Sequence, residues 1–401
     1  MRRTLALALL VVAAWLVPAG AATAGDAAAT RSALAAQMRW AGAGSGAHVV
    51  DLDTGTTIYS LRPDGARVPA SVQKLYTTAT ALLRLGTDAT LATEVLSPAG
   101  VDLGGRLDGH LYLRGHGDPT LTRRDLDALA LELVAATGLS EVTGRVIGDE
   151  SAFDGRRGPP SSGYRTSAWV GPLGALVVDR GRTGRARPYW QADPADWAAD
   201  AFARSLRRAG VAVSRAGRRG VTPAAAVPLG AHASAPMATL ARLSNVPSDN
   251  FVAEMLLKAI GADADGVGTT AGGAAVVEIA MAGLGLHPRA ADGSGLSRSN
   301  RTTPRQVVRL LARMASARHF TTSLALAGRT GTLARRMRRG AARGRCRGKT
   351  GTLYSVSNVA GYCRTAAGST VAFAILMNGV NPWSARALQD RMASAIARYR
   401  P

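Results

Sequence analysis

The sequence is 401 residues long, 47% hydrophobic and 19% charged, which excludes a disordered chain and leaves room for two domains with sizeable cores. Its 49 Lys and Arg residues outnumber 27 Asp and Glu residues, giving a formal net charge of +22. Such a charge favours polyanions as partners, although solvated surface arginines in an arginine-rich composition are an equally good explanation. No recognisable nucleic-acid-binding module is present, so nucleic acid is not an expected partner.

The N-terminus has the three parts of a secretory signal peptide. Met1–Arg3 is charged, Leu5–Val17 is an apolar run of 13 residues, and Ala22–Ala24 has the small residues of a cleavage site. The run is shorter than the ~20 residues that cross a bilayer, so a retained anchor is the weaker alternative. We therefore expect residues 1–24 to be removed and the mature protein to be exported, either soluble or held on the cell wall by its charge.

The first predicted elements are a β-hairpin and a helix. Strands at 48–53 and 56–61 flank a Thr-Gly turn, and a helix is expected to start at Ser71, where apolar and small residues recur at helical spacing. Lys74 then lies one turn beyond Ser71 on the same helix face, with Ser71 at the positive end of the helix dipole. This is the geometry that a Ser–Lys pair requires.

The middle of the chain differs in its predicted elements, with short strands and glycine turns from about residue 91. Two helices are predicted there, at 124–137 and 197–209, and a Gly-, Pro- and Ser-rich loop spans 155–164. The stretch 214–236 is rich in small residues and is a candidate seam between domains. Residues 91–236 are therefore expected to form a separate, inserted domain.

Helical periodicity returns at 237–243, and further helices are predicted at 251–259, 272–283 and 304–317. Asp263–Gly266 lacks the later ligands of a calcium loop and is interpreted as a turn. Two later segments, Arg329–Leu333 and Lys349–Leu353, share Thr-Gly-Thr-Leu. The first runs into a predicted helix at 334–337 and the second into predicted strands, so only the second can lie along a sheet edge beside a bound peptide.

The two cysteines, Cys346 and Cys363, flank the second of these segments. Export would permit a disulfide, and a hairpin turning between Tyr354 and Ser355 would place the two cysteines opposite each other. Closing that loop would stabilise the fold by roughly 3 kcal/mol; two buried free thiols are the alternative. Neither cysteine is interpreted as catalytic, because no histidine partner lies nearby in the sequence.

Two of the chain's three lysines lie in short motifs that need a lysine. Lys74 closes Ser-x-x-Lys, and Lys349 opens Lys-Thr-Gly, with Ser248-Asp249-Asn250 between them. Arginine stays protonated, whereas a desolvated lysine can lose its proton near neutrality and act as a base. The three motifs, in this order, are typical of penicillin-binding proteins and class A β-lactamases. The chain is therefore interpreted as an active-site serine enzyme of the bacterial cell wall.

The segments around these motifs sharpen the resemblance. They are Gly-His-Gly-Asp-Pro-Thr-Leu at 115–121, Phe-Val-Ala-Glu-Met-Leu at 251–256, Asp-Gly-Ser-Gly-Leu-Ser-Arg at 292–298, and the doubled Thr-Gly-Thr-Leu. Over nearly the whole mature chain, the sequence resembles the D-alanyl-D-alanine carboxypeptidase/endopeptidase family of low-molecular-mass class C penicillin-binding proteins. The resemblance implies an exported serine D,D-peptidase that trims peptidoglycan stem peptides, and both carboxypeptidase and endopeptidase activity stay open.

The resemblance also implies the fold. It is an α+β fold in which a β-lactamase/transpeptidase-like domain, with helices flanking an antiparallel sheet, is formed by residues 25–90 and 237–401 and split by the smaller inserted domain at 91–236. Members of the family often carry a second domain nested in the first insert. Here the expected place of that nested domain, at 178–194, is a short Arg- and Gly-containing stretch, so the resemblance does not extend to the nested domain.

Residue roles follow from the same resemblance. Ser71 would attack the carbonyl of the penultimate D-Ala, and Lys74, its charge disfavoured by burial and by Lys349, would act as the base. Ser248 would relay a proton to the leaving amine, and Asn250 would hold the substrate amide and orient Lys74. Lys349 would supply a positive field.

The substrate-binding residues implied by the resemblance lie on the Lys-Thr-Gly segment and on one loop: Thr350, Gly351, Thr352 and Arg298. Thr350 or Thr352 would bind the terminal carboxylate, and the backbone N–H groups of Ser71 and Thr352 would form an oxyanion hole worth about 3 kcal/mol per donor. Arg298 would contact the stem peptide further along, and a structural salt bridge is an equal alternative. No metal or cofactor is implied. The expected partners are stem peptides, β-lactams as inhibitors and anionic wall polymers.

Three rival interpretations are weaker. A serine β-lactamase would need a glutamate to activate the deacylating water. In the plausible window after Asn250, none of the acidic residues lies in a Glu-x-x-x-Asn setting: Glu254, Asp263, Asp265, Glu278 and Asp292. The six histidines include no His-Glu-x-x-His pattern, which argues against a metallo-carboxypeptidase. A non-catalytic wall-binding protein with a retired site is disfavoured because both motif lysines persist in an arginine-dominated chain.

Overall fold

The computed structural model of the protein describes residues 24–184 and 190–401. The predicted signal peptide therefore lies outside the described residues, apart from Ala24, and so does the middle of the segment 178–194. Within the described ranges, no helix combines the length and the apolar character needed to cross a bilayer.

The chain forms helices and strands in mixed order. The helices are α1 (Ala24–Met38), α2 (Lys74–Arg84), α3 (Arg123–Thr137), α4 (Pro194–Arg208), α5 (Met237–Asn245), α6 (Asn250–Asp265), α7 (Thr270–Ala282), α8 (Pro304–Arg313), α9 (Arg318–Thr322) and α10 (Pro382–Arg398). The strands are β1 (Gly46–Asp51), β2 (Thr57–Leu61), β3 (Ala92–Ser97), β4 (Arg106–Leu107), β5 (Leu111–Gly115), β6 (Glu141–Val142), β7 (Val146–Asp149), β8 (Ala212–Val213), β9 (Arg218–Arg219), β10 (Val227–Ala233), β11 (Ala325–Leu326), β12 (Cys346–Leu353), β13 (Val356–Arg364) and β14 (Thr370–Asn378).

A six-stranded sheet with the order β11-β12-β13-β14-β1-β2 is the centre of the larger part, and every pair in it is antiparallel. Strand β14 is buried on both faces because its residues alternate between two cores. Ala372, Ala374 and Leu376 pack under α2, α5, α6, α7 and α8, while Phe373 and Ile375 pack under α1 and α10. Helices therefore flank an antiparallel sheet, as predicted.

The strands of two smaller sheets lie between Ala92 and Ala233. One sheet has the order β10-β3-β5-β7-β9 and the other the order β4-β6-β8. Helices α3 and α4 close a common core with them, in which Leu129, Leu133 and Phe202 are buried. This part interrupts the larger sheet between β2 and β11, and the domain boundaries at 90/91 and 236/237 stay predictions.

Three predicted elements differ from the structure. Helix α6 continues to Asp265 and ends at Gly266 (φ 77°), so the turn predicted at Asp263–Gly266 was wrong for its first three residues. Helix α8 ends at Arg313 rather than at 317. The helix predicted at 334–337 is absent. A short 3-10 turn ends at Leu333, and Met337 takes a left-handed φ of 53°, because the Asp390 carboxylate binds Arg336 and the Met337 N–H.

The predicted disulfide is confirmed. Cys346 and Cys363 are opposite each other on β12 and β13 and are bonded. The hairpin turns at Tyr354 and Ser355, as the position of the two cysteines predicted.

Candidate active site

Ser71 lies in a 3-10 turn, Ala70–Gln73, that leads directly into α2. Ala70 before it has a left-handed φ of 46°, a conformation that costs energy in a residue with a Cβ. Neighbouring groups hold this turn. The Asn358 amide donates to the two carbonyl groups that precede Ala70, at 3.0 and 2.8 Å, and Gly295 passes so close that a Cβ there would clash with the Ala70 carbonyl. The backbone thus fixes the position of the serine.

Lys74, the first residue of α2, is fully buried and directed at Ser71. Its Nζ lies 3.0 Å from Ser71 Oγ, 2.8 Å from Asn250 Oδ1 and 2.6 Å from the Ser294 carbonyl oxygen. Three acceptors around one amine fix its orientation. The Ser–Lys contact predicted from helical spacing is therefore present.

Burial lowers the pKa of Lys74 to about 8, against the opposing effect of carboxylates on Glu254, Asp292 and Asp249, which raise it. We expected repulsion from Lys349 to lower the pKa of Lys74 as well. In the structure it is the pKa of Lys349 that this repulsion lowers: burial and the charge of Lys74 hold the pKa of Lys349 well below its usual range. Desolvation is thus what makes Lys74 a base near neutral pH.

Ser248 and Asn250 stand on either side of the start of α6. Ser248 has a left-handed φ of 65°, and its Oγ accepts a hydrogen bond of 2.7 Å from Lys349 Nζ. Asp249 caps the helix, since its carboxylate accepts from a backbone N–H of the first turn at 3.1 Å. The Asn250 amide contacts Lys74 with its oxygen and donates to the Trp169 carbonyl with its nitrogen, at 3.1 Å.

Strand β12 carries the Lys-Thr-Gly motif past Ser71. Lys349 is fully buried and points at Ser248, while Gly351 faces the serine turn. A Cβ on Gly351 would lie 2.6 Å from the Pro69 carbonyl oxygen and 3.1 Å from the Ser71 nitrogen. Only a glycine lets the strand pass at this distance. The presence of glycine at position 351 therefore has a steric explanation as well as its place in the motif.

The two threonines of the motif have different partners. Thr350 Oγ1 donates to Thr332 Oγ1 at 2.8 Å, so the two Thr-Gly-Thr-Leu segments meet at this hydrogen bond. Thr352 Oγ1 accepts from the guanidinium of Arg386 at 3.3 Å. Both threonines line the same cavity as Ser71.

That cavity has a volume of about 1030 Å³. It is lined by hydroxyl and amide side chains together with arginine, aromatic and leucine side chains: Ser71, Trp169, Ser248, Asn250, Leu296, Thr332, Arg335, Arg336, Thr350, Thr352, Leu353, Tyr354, Trp383 and Arg386. The structure brings together Lys74, Lys349, Gly351 and the other predicted residues around it, with one exception.

The exception is Arg298, which does not line the cavity. Its guanidinium is exposed and donates to the Tyr354 carbonyl at 3.0 Å, beside a residue that does line it. Within residues 24–184 and 190–401, Arg298 forms no ion pair, so the predicted salt bridge is not seen.

Sequence reasoning missed the part played by two buried carboxylates behind Lys74. Glu254 accepts from the Ser294 N–H at 2.8 Å, and Asp292 accepts from the Gly295 N–H at 2.7 Å. Burial raises the pKa of both groups, and repulsion from Asp292 adds to the effect on Glu254. Together they hold the loop whose carbonyl binds Lys74. The spacing of Glu254, one helical turn after Asn250, was the available signal.

Trp169, Trp383, Arg335 and Arg386 were also missed. They lie in no motif, and they reach the cavity from a loop of the inserted part, from the segment after β11 and from α10. No local pattern in the sequence could have assigned them to the site, because only the tertiary fold brings them there.

Comparison with known proteins identifies relatives of this chain. The D-Ala-D-Ala carboxypeptidase 3 (S13) family matches residues 27–186 and 188–399. The D-alanyl-D-alanine carboxypeptidase of Actinomadura sp. (strain R39) is 33% identical to this chain over 89% of this chain and 82% of its own length. Carboxypeptidase DacB of Mycolicibacterium smegmatis is 29% identical over 87% of this chain and 79% of its own.

Solved structures share the fold. Penicillin binding protein 4 of Haemophilus influenzae superposes with a TM-score of 0.79 at 22% identity, covering 91% of this chain and 99% of that protein, and it has also been crystallised with a β-lactam. A predatory endopeptidase of Bdellovibrio bacteriovorus superposes with a TM-score of 0.54 at 16% identity, over 86% and 90%. These likenesses confirm the predicted α+β fold. From the matched residues and the identity to its relatives, the chain belongs to the D-Ala-D-Ala carboxypeptidase 3 (S13) family.

Proposed function

We propose that this protein is an exported serine D,D-peptidase that hydrolyses the D-Ala–D-Ala bond of peptidoglycan stem peptides through an acyl-enzyme on Ser71. One observation carries the proposal: a fully buried lysine amine, with its pKa lowered to about 8, lies 3.0 Å from a serine hydroxyl that lines a large open cavity. A hydroxyl and an adjacent base at this distance are what nucleophilic catalysis requires.

In acylation, neutral Lys74 takes the proton of Ser71 while Oγ attacks the carbonyl carbon of the penultimate D-Ala. The tetrahedral intermediate collapses with cleavage of the C–N bond, and the leaving D-Ala amine must gain a proton. Ser248 is suited to deliver it, because its Oγ already accepts a hydrogen bond from Lys349 Nζ. Water then hydrolyses the ester and regenerates Ser71.

The substrate would be bound by strand β12, which carries the Lys-Thr-Gly motif, and by the start of α6. Thr350 and Thr352 would bind the terminal carboxylate, and Asn250 would bind the amide that precedes the scissile bond. Arg298, held beside Tyr354, is the candidate for the more distant part of the stem peptide. β-Lactams, which present a carboxylate and a strained amide in similar positions, would acylate Ser71 and act as inhibitors.

The buried carboxylates weigh against a β-lactamase. Glu254 and Asp292 are fully buried, and their oxygens accept backbone hydrogen bonds instead of lining the cavity. Neither carboxylate is placed to activate a water on the acyl-enzyme. Slow release of a penicilloyl group is therefore expected.

The test is the mass of the intact mature protein after brief incubation with benzylpenicillin. Wild type should gain one stable penicilloyl group, Ser71→Ala none, and Lys74→Arg should acylate about 10²- to 10⁴-fold more slowly, because arginine does not release its proton. Lys258→Arg is the matched control, since this third lysine is buried but bound to Asp154, away from Ser71. Catalytic hydrolysis of penicillin would indicate a β-lactamase. Unmodified protein together with intact penicillin would indicate that the site is not catalytic.

We also infer that anionic wall polymers bind the C-terminal third of the chain. Residues 293–401 contain nineteen arginines and one lysine but a single carboxylate, Asp390. Most arginines of residues 334–347, here called the arginine loop, are exposed, and Asp390 is taken up by Arg336. A surface of one sign attracts polymers of the other, and phosphodiester polymers of the wall have the matching charge.

A further inference from the structure

Arg386 is a cation that lines the catalytic cavity. It lies in no motif, so the sequence alone does not identify it as a residue of the site. It lies near the start of α10, lines the cavity together with Ser71, and donates to Thr352 Oγ1 at 3.3 Å. Thr352 belongs to the strand proposed to bind the terminal carboxylate. The guanidinium and the hydroxyl thus stand side by side at the place where that carboxylate would lie.

The charge of Arg386 is not neutralised by its neighbours in the part of the chain that the structure describes. The nearest carboxylate, Asp390, is bound by Arg336 at 2.5 and 2.9 Å and also accepts from a backbone N–H. Arg386 itself forms no ion pair there, and its one side-chain acceptor is the neutral hydroxyl of Thr352. Most of its five N–H donors are therefore left for a ligand.

The guanidinium is also held in place before any ligand binds. It is half-buried and stacks on the ring of Trp383, with Cζ 4.9 Å from the ring centroid. Asn381 caps α10 by accepting from two backbone N–H groups of its first turn, and Arg336 donates to the Arg386 carbonyl at 3.1 Å. A fixed, planar, unpaired fork of donors matches the shape of a carboxylate.

We propose that Arg386, together with Thr352, binds the α-carboxylate of the leaving D-amino acid and so sets how strongly the enzyme prefers a free carboxylate over an uncharged group at that position. The proposal rests on the D,D-peptidase function proposed above and adds a specificity-determining residue to it. A stem peptide that ends in D-alanine amide would lose this contact and leave the cation facing an uncharged group.

The experiment compares two peptides that differ only in that charge. Diacetyl-L-Lys-D-Ala-D-Ala as the free acid and as the C-terminal amide are incubated with wild type and Arg386→Gln, and kcat/KM is measured for each. Loss of a charge-assisted hydrogen bond corresponds to roughly 10- to 100-fold. We expect Arg386→Gln to lower kcat/KM for the acid by that factor, to change the value for the amide less than about threefold, and Arg386→Lys to recover part of the loss.

Two controls separate binding from structure. Arg391→Gln removes an arginine of the same helix that contacts Gln37 instead of the cavity, and it should leave both peptides unaffected. Thermal unfolding of each variant checks that α10 stays folded. An equal loss on acid and amide would overturn the proposal, because Arg386 would then only support β12. An unchanged value for the acid would overturn it as well.

A separate readout distinguishes failure of this proposal from failure of the proposed function. The rate of acylation of Ser71 is measured with benzylpenicillin and with its methyl ester, in which the carboxylate is masked. Arg386→Gln should slow acylation by the acid but not by the ester. If wild type cleaves neither peptide, releasing neither D-Ala from the acid nor D-alanine amide from the amide, the D,D-peptidase function fails. The ratio of the two acylation rates still decides whether Arg386 binds a carboxylate.

Discussion

The proton chemistry of the site depends on a balance of opposing effects at Lys74. Burial removes water from its amine and lowers the pKa, whereas the buried carboxylates of Glu254 and Asp292 raise it. The outcome, a pKa of about 8, leaves a useful neutral fraction at neutral pH without removing the charge altogether. Glu254 acts at a distance, because its carboxylate binds the Ser294 N–H while Lys74 binds the carbonyl of the same residue.

This balance predicts a pH profile and a way to move it. Since acylation needs neutral Lys74, the rate with benzylpenicillin should rise with pH and level off above about pH 8. Glu254→Gln removes a negative charge that raises the pKa of Lys74, so the rise should move to lower pH. Acylation rates of wild type and variant across pH, followed by intact mass, check this. Glu132→Gln, on the exposed side of α3, is the control. A shift to higher pH would contradict the role of Glu254.

Among individual residues, those in short motifs could be predicted and those that act through the fold could not. Ser71 and Lys74 are one turn apart, so their contact follows from helix geometry alone. Glu254 and Asp292 were considered only as candidate bases for deacylation, because their burial and mutual repulsion arise from packing. Arg386 is one of many arginines in the sequence, and only the pairing of Arg336 with Asp390 leaves it unpaired.

At the scale of elements, the site depends on how closely β12 passes the turn before α2. The apolar residues after Leu353 and the cysteine spacing were enough to predict the β12–β13 hairpin, because both are local. The helix predicted at 334–337 failed because a distant carboxylate, Asp390, captures the backbone and side chain there. Local periodicity cannot report a contact made across more than fifty residues.

Gly351→Ala tests the close passage of β12. A Cβ at this position would lie 2.6 Å from the Pro69 carbonyl oxygen, so either the strand or the serine turn must move. Because misplacement by about 1 Å can cost on the order of 10²-fold, we expect a loss of that size in the acylation rate. Gly230→Ala in β10 is the matched control, since its nearest neighbour would be at 3.8 Å. Normal acylation by Gly351→Ala would refute the steric explanation.

For the whole molecule, the distribution of charge matters more than its total. The sequence alone predicted a basic protein, and the structure adds that two members of the arginine loop, Arg335 and Arg336, line the catalytic cavity together with Arg386. A polymer bound there would lie beside the entrance to the site. The alternative, that the arginines are only solvated, makes the opposite prediction for binding.

Neutralising the arginine loop should weaken binding to an anionic polymer. With poly(glycerol phosphate) as the probe, affinity measured at several salt concentrations should fall in the loop variant, and its dependence on salt should become less steep. Acylation by benzylpenicillin should not change. Two variants are compared, each with three exposed arginines replaced. The first carries Arg338→Gln, Arg339→Gln and Arg343→Gln in the arginine loop, and the second carries Arg124→Gln, Arg215→Gln and Arg218→Gln in the inserted part. Equal losses would show an effect of total charge, and no loss would favour solvated arginines.

The overall architecture was implied by the resemblance of the motifs to a known family, and the change in composition near residue 91 indicated the inserted part. The mixed parallel and antiparallel pairing of the five-stranded sheet could not be predicted. In that sheet β5 and β7 pair in parallel, with α3 between them in the chain, and neither strand has a clear alternation of apolar and polar residues. Their strands are four or five residues long. In such short segments, pairing is decided by the core that α3 and α4 provide.

The pairing of β1 with β14 has a consequence for the timing of synthesis. Gly46 lies opposite Leu376, so the strand before the nucleophile pairs with a strand that is synthesised more than 300 residues later. Lys349 and Gly351, which flank Ser71 in the finished protein, also arrive late. A chain made only as far as α2 therefore carries Ser71 and Lys74 without Lys349, strand β12 and Arg386. The order of synthesis therefore keeps the active site incomplete until β12, β14 and α10 have been made.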